Sequence, residues 1–197
     1  MKNNCAKRLI TALKETLESH QEIAQRILDA YQISEDSPDE EAISSILAFF
    51  TDISFHASTL TFASGWNGNA YVYYFNEGNP WDGPWKGRAN HILDVIYFFQ
   101  NLRDFLTAEQ KEVGEAVAED FFKFCYGIAP WPAITPGTIQ TGFSARVYGP
   151  SQKGAVASVA PRAFGGGTLR RSILFECASV VSFDDLGKVF LAFQSSS

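Results

Sequence analysis

Ala70-Tyr71-Val72-Tyr73-Tyr74-Phe75 is an unbroken β-branched and aromatic run, bounded by Asn67-Gly68 before it and Asn76-Glu77-Gly78 after it. Six residues are too few for a helix, and a continuous apolar run reads as a strand covered on both faces, as in a parallel sheet. Upstream the period is helical. Leu9, Leu13 and Leu17 recur at i+4, and Ser19 with Glu22 predicts a capping box ahead of a helix through Ile23, Ile27, Ala30 and Tyr31. Ser37, Pro38 and Glu40 predict the next start, with Ile43, Ile46, Leu47 and Phe50 buried. Asp52 reads as the cap of a further helix through Ile53, His56, Leu60 and Ala63, ending near Gly65.

Downstream, a Gly/Pro/Trp loop runs from Asn76 to Asn90 and leads into a helix with Ile92, Val95, Ile96 and Phe99 on one side. Thr107 with Gln110 opens another helix, whose Val113, Ala116, Val117, Phe121 and Phe124 are expected to face inward until Ala129-Pro130-Trp131-Pro132 stops it. Residues 133–167 are loop-rich, with candidate strands at Ser144–Tyr148 and Ala155–Ala160. Residues 168–194 form two C-terminal helices, the last started by Ser182 and Asp185. The fold class is α/β, mostly helical, with one central strand at about 70–75 and one or two short strands beside it. A central strand needs neighbours on both edges and helices on both faces, and a lone strand is not a fold. The 197 residues are therefore expected to be part of a larger α/β domain. Met1, the only methionine, opens directly into an amphipathic helix, which fits a cut inside a domain.

Composition narrows the classes. Sixteen Lys and Arg against 22 Asp and Glu give a net charge of −6, which disfavours nucleic acid as the main partner. No stretch has the roughly 18 unbroken apolar residues of a membrane span, so no membrane partner is expected. Lys7, Arg8, Lys14 and Glu15 interrupt any signal-type apolar core, which leaves the cytoplasm as the default location. Cys5, Cys125 and Cys177 are odd in number and far apart, so neither a disulfide framework nor a zinc knuckle is encoded. His20, His56 and His91 lack i, i+4 pairing, and no metal or cofactor is expected. Within this set His56 reads as structural and His20 as solvated. The acidic run from Glu35 to Glu41 reads as helix-cap charge. Trp81, Trp85 and Trp131 follow prolines in loops and read as clamps on their own domain rather than platforms for sugar rings. Seventeen Phe, seven Tyr and four Trp imply an aromatic core or an apolar pocket.

His91 lies beyond the carboxyl end of the strand and at the start of the next helix, the edge where open α/β sheets gather ligands and catalytic groups. An imidazole there suits a general base. The strand with Asn76-Glu77, the Pro80-Trp81 and Pro84-Trp85 pairs, and Arg88-Ala89-Asn90-His91-Ile92-Leu93-Asp94-Val95-Ile96-Tyr97-Phe98-Phe99 together resemble the C-terminal part of type B carboxylesterases, the cholinesterase-like branch of the α/β-hydrolases. The resemblance extends over about residues 27–132, through the Thr107–Phe124 helix and its Pro-Trp stop. It implies a partial α/β-hydrolase domain across 1–197, with His91 as the triad histidine and Asp94 as a supporting acidic residue. Arg88 stands where many members have glycine.

The remaining machinery is not in the chain. The strained nucleophile elbow requires G-x-S-x-G, and Gly142-Phe143-Ser144-Ala145-Arg146 and Gly149-Pro150-Ser151-Gln152-Lys153 each lack the second glycine. Both also follow the histidine, against the Ser, acid, His order of the fold. Gly165-Gly166-Gly167 stands too late to be the oxyanion run and reads as a flexible entry to the last helices. The triad acid belongs upstream of this sequence. The expectation is thus the C-terminal part of a carboxylic-ester hydrolase that is inactive alone. Its partners would be the missing N-terminal part and, in the complete enzyme, a small-molecule ester. The alternatives are a non-catalytic interaction protein or a nonfunctional remnant of the same fold.

Overall fold

The computed structural model describes residues 4–135, 142–162 and 168–196. By packing the chain divides into two units, Met1–Phe62 with Ala163–Ser197, and Ala63–Arg162.

In the first unit, helices α1 (Cys5–Thr16), α2 (Gln21–Ala30) and α3 (Asp39–Thr51) pack with α7 (Leu169–Cys177) and α8 (Phe183–Ser195). Their i, i+4 stripes meet in a core where Leu9, Leu13, Ile27, Phe49, Leu174 and Leu186 are all fully buried. The predicted Ser19–Glu22 box does not start α2. A short 3₁₀ turn, Glu18–His20, runs straight into the helix, and Gln21 Nε2 donates to the carbonyls of Lys14, Leu17 and Glu18 instead. Nor does Ser37 cap α3: Pro38 is the N-cap, and the Ser37 hydroxyl accepts from the Ser34 N–H. The Asp39 carboxylate caps a different helix, accepting the Asn4 and Cys5 N–H groups at the start of α1 at 3.2 and 3.0 Å. At the other end, Ser182 Oγ caps α8 as predicted, accepting the Asp185 N–H.

Asp52 is not a helix cap. The helix runs on through a π-helical turn, Asp52–Ala57, into α4 (Ser58–Gly65). Asp52 is fully buried and receives Arg170 Nε at 2.9 Å, Arg171 Nε at 2.8 Å and the Tyr31 hydroxyl at 3.1 Å. By length and composition alone the continuous helix Asp39–Gly65 could cross a membrane. Its buried face and buried carboxylate are equally those of a core helix.

The second unit holds a three-stranded sheet in the order β1 (Tyr73–Phe75), β2 (Phe143–Tyr148), β3 (Ala157–Arg162), with β1 parallel and β3 antiparallel to β2. The chain is extended from Ala70, which bridges to Ile134, but only three residues join the ladder. The strand expected at the centre of the sheet therefore lies at its edge among the described residues, and β2 is central. Tyr73 is 45% exposed, so the run is aromatic without being covered on both faces. Sequence composition gives the extended conformation but not the number of neighbours.

Helices α5 (Leu93–Phe99) and α6 (Ala108–Cys125) cover this sheet. Thr107 and Gln110 form the predicted capping box in full, each side chain meeting the other's backbone N–H. Further along α6, Asp120 accepts the Tyr148 hydroxyl at 3.0 Å and pairs with Arg146 at 2.7 Å, fixing the helix to β2. Two predicted faces differ from the outcome. In α5 the buried residues are Leu93 and Tyr97, while Ile92, Val95 and Phe99 are exposed. In α6, Val113 and Val117 are buried, but Phe121 and Phe124 are about half exposed. Those rings join Phe98, Phe99, Tyr71 and Trp131 in a chain of edge-to-face and tilted contacts with centroids 4.5 to 6.5 Å apart. Aromatic stabilisation there comes from neighbouring rings rather than from full burial.

Candidate functional site

The site is built where β1 ends. Asn76 still donates its N–H to the Tyr148 carbonyl at 2.8 Å, and the chain then leaves the sheet as a loop to Asn90. The loop closes at its base, where Asn79 N–H donates to Arg88 O at 3.1 Å and Gly87 N–H to Asn79 O at 2.8 Å. Gly87 has φ 75°, a left-handed conformation that glycine adopts without strain. The positive-φ turn thus falls on Gly87, one position before Arg88, and Arg88 itself needs no such conformation. Trp81 points inward and packs on the core of Leu93, Tyr97 and Val113, while residues 82–89 are exposed. The tip carries an exposed Lys86–Asp82 ion pair of little energetic consequence.

His91 emerges from this loop exposed to solvent, on the turn that enters α5. The next residue, Ile92, has φ 68°. A β-branched side chain in the left-handed region is strained by about 1–3 kcal/mol, and such outliers cluster at functional sites. Leu93, fully buried, starts the helix, and its N–H donates to the Asn90 carbonyl at 3.3 Å. Asp94 lies in the first turn, where negative charge suits the helix dipole. Its Oδ2 accepts the Tyr73 hydroxyl at 2.7 Å. Burial, then the bond and charge of Asp94, push the Tyr73 phenol well above its ordinary range, so it remains a donor at working pH. His91 and Asp94 therefore share one turn, and the partner that fixes Asp94 is a tyrosine on β1.

Behind the loop lies a buried carboxylate. Glu77 is fully buried, accepting the Ser151 N–H at 2.7 Å, the Ser151 hydroxyl at 2.9 Å and Gln110 Nε2 at 3.4 Å. Gly149, at φ 72°, lets the β2–β3 connection lie against Glu77, since a Cβ at that position would stand 2.9 Å from the Glu77 backbone and collide. Burial and the charge of Glu77 raise the Tyr97 phenol well above its ordinary value. Ser151 is thus a buried donor to Glu77 and not an available nucleophile, and Ser144 lies within β2.

Gly165-Gly166-Gly167 lies outside the described residues. His56 belongs to the first unit, in the π-helical turn, with its ring edge-on to Phe175 at 5.9 Å. Burial, reinforced by the Arg171 charge, lowers its pKa to about 4, so it is neutral at neutral pH. Among the described residues no group of three or more His, Cys, Asp and Glu is arranged to hold a metal ion. The Glu77 network and the Ile92 strain escape sequence reading. Their one local signal is a charged residue placed between a strand run and a glycine.

A sequence model described as the carboxylesterase family matches residues 1–130, a span that includes β1, the loop, His91, α5 and α6. No curated protein and no solved structure matches the chain.

Proposed function

The chain belongs to the carboxylesterase family, of α/β-hydrolase fold, and on that premise we propose that it is the histidine-bearing part of a carboxylic-ester hydrolase. The observation that carries this reading is the exposed imidazole of His91 at the end of the loop that leaves β1, next to the strained Ile92 and inside the matched span. In the complete centre His91 takes the proton of an attacking serine hydroxyl and returns it to the leaving alcohol. That role contributes about 10²–10⁴-fold in rate, and only where a nucleophile stands ready. Asp94 keeps the turn beneath His91 in place through Tyr73.

No G-x-S-x-G occurs in the 197 residues, so serine, oxyanion donors and triad acid come from polypeptide outside this sequence, and the chain alone turns over no ester. Its partners are that N-terminal part and a small-molecule ester, not nucleic acid or membrane. The test is p-nitrophenyl acetate hydrolysis by the chain mixed with the N-terminal part of a carboxylesterase-family protein that carries G-x-S-x-G. Activity that requires both parts and is lost in His91→Ala supports the reading.

The aromatic chain from Trp131 to Phe99 favours a second reading, a non-catalytic interaction protein. Phe99, Phe121 and Phe124 are 62%, 48% and 54% exposed, and exposed apolar patches of this kind serve as interaction surfaces. Light scattering separates the two, since a clean monomer with no added partner argues against self-association through these rings.

A further inference from the structure

We propose that Glu77 is a positioning residue for His91, an inference that rests on reading His91 as the reacting imidazole. One carboxylate joins three elements. Its two oxygens hold Ser151 of the β2–β3 connection by N–H and by hydroxyl, and its Oε1 also receives Gln110 Nε2. Gln110 is itself fixed, because its Oε1 accepts the Thr107 N–H that opens α6. A carboxylate with no exposed surface is retained only where its acceptor sites are filled.

Glu77 also marks the foot of the loop that ends in His91. The next residue, Gly78, presses on the returning leg so closely that a Cβ there would stand 3.0 Å from the Gly87 carbonyl. Asn79 then bonds both Gly87 and Arg88. A shift of Glu77 therefore moves both legs of the loop. On the far side of His91, the Tyr73–Asp94 bond holds the first turn of α5 to β1. The imidazole is carried between two anchored points, and Glu77 is the buried one.

The test is side-chain NMR of the full chain, which contains only three histidines. In Glu77→Gln the amide keeps one acceptor oxygen and turns an N–H₂ group toward the Ser151 or Gln110 donors. The His91 imidazole signals are expected to shift and broaden. The Trp131 indole, reporting the second unit, and the His56 ring, reporting the first, should stay in place. Ser151→Ala is the gentler variant, since it keeps the backbone N–H bond to Glu77 and removes only the hydroxyl. It should move the His91 signals in the same direction by a smaller amount. His91 signals superimposable on the wild type in either folded variant overturn the proposal. The readout needs no ester turnover, so that outcome leaves the esterase reading standing, and a failed complementation leaves the NMR result to decide Glu77.

Discussion

The Tyr73 hydroxyl donates a 2.7 Å hydrogen bond to Asp94, and by this one contact the strand at the sheet edge holds the first turn of the helix that follows His91. Both residues are partly open to water, so the bond is worth about 1 kcal/mol, below the range for buried charged acceptors. Tyr73→Phe should lower the thermal midpoint by a few degrees and broaden the His91 imidazole signal, with secondary structure unchanged. A midpoint equal to the wild type would remove this contact from the account.

The Asp52 carboxylate, 1% exposed, is shared by Arg170 and Arg171, themselves 38% and 23% exposed. Asp52→Asn keeps the shape and removes the charge that both guanidiniums face. Breaking a buried pair from one side costs about 3–5 kcal/mol, and the water left on the arginines puts this case near 3. The urea midpoint of the helical signal should fall accordingly. A change under about 1 kcal/mol would mean that the arginines find solvent as good a partner.

His56 gives the fold an acid sensitivity. Its pKa falls from an ordinary 6.5 to about 4, by burial first and by Arg171 next; Asp52 opposes the shift and Arg170 adds to it, and the Phe175 ring faces it edge-on. The unfolded chain binds a proton between these two values and the folded chain does not. The associated stability is complete above pH 6.5 and is lost as pH falls toward 4. Discounted for partial exposure, the loss is about 2 kcal/mol. Urea midpoints of the wild type and His56→Leu, measured from pH 7 to pH 4, should diverge, with the variant showing the shallower decline. Parallel profiles would exclude His56 as the cause.

Ile92 at φ 68° is 54% exposed, so its side chain contributes little burial to offset its strain. Ile92→Gly should be neutral or stabilising by up to about 1 kcal/mol, as relief of left-handed strain outweighs the added freedom of the unfolded chain. Ile92→Val keeps the β-branch and should gain nothing. Thermal midpoints of the two variants decide this, and a loss of stability in Ile92→Gly would show that the strain is not there.

What was legible in the sequence was local. Thr107 with Gln110 and Ser182 with Asp185 close their bonds within three residues, and both caps form as the pattern predicts. Asp52 carries a cap signature too, but its partners Tyr31, Arg170 and Arg171 lie 21, 118 and 119 residues away, and Asp39, within the acidic run, caps a helix start 34–35 residues away, beyond the reach of any local pattern. The face of α5 differs from the periodicity because Ile92 is left-handed: the helix starts at Leu93, and Leu93 with Tyr97 become its inward i, i+4 pair. Hydrophobicity places Phe121 and Phe124 in the core, because it does not distinguish a ring packed on rings at the surface from one fully enclosed. At the site, the order of strand, loop and helix around His91 was legible because β1 and α5 are each marked by their own residues. The Glu77–Ser151 bond joins residues 74 apart, and beyond a charged residue standing between a strand run and a glycine no local pattern points to it.

The central claim is that the reacting imidazole is here and the attacking hydroxyl is elsewhere. Hydrolysis of p-nitrophenyl acetate by the purified full chain, wild type and His91→Ala, with and without the N-terminal part of a carboxylesterase-family protein bearing G-x-S-x-G, tests it directly. The account expects background rates from the chain alone and turnover from the pair that disappears with His91→Ala. Turnover by the chain alone that is abolished in His91→Ala, or turnover by the pair that is indifferent to it, would contradict the account.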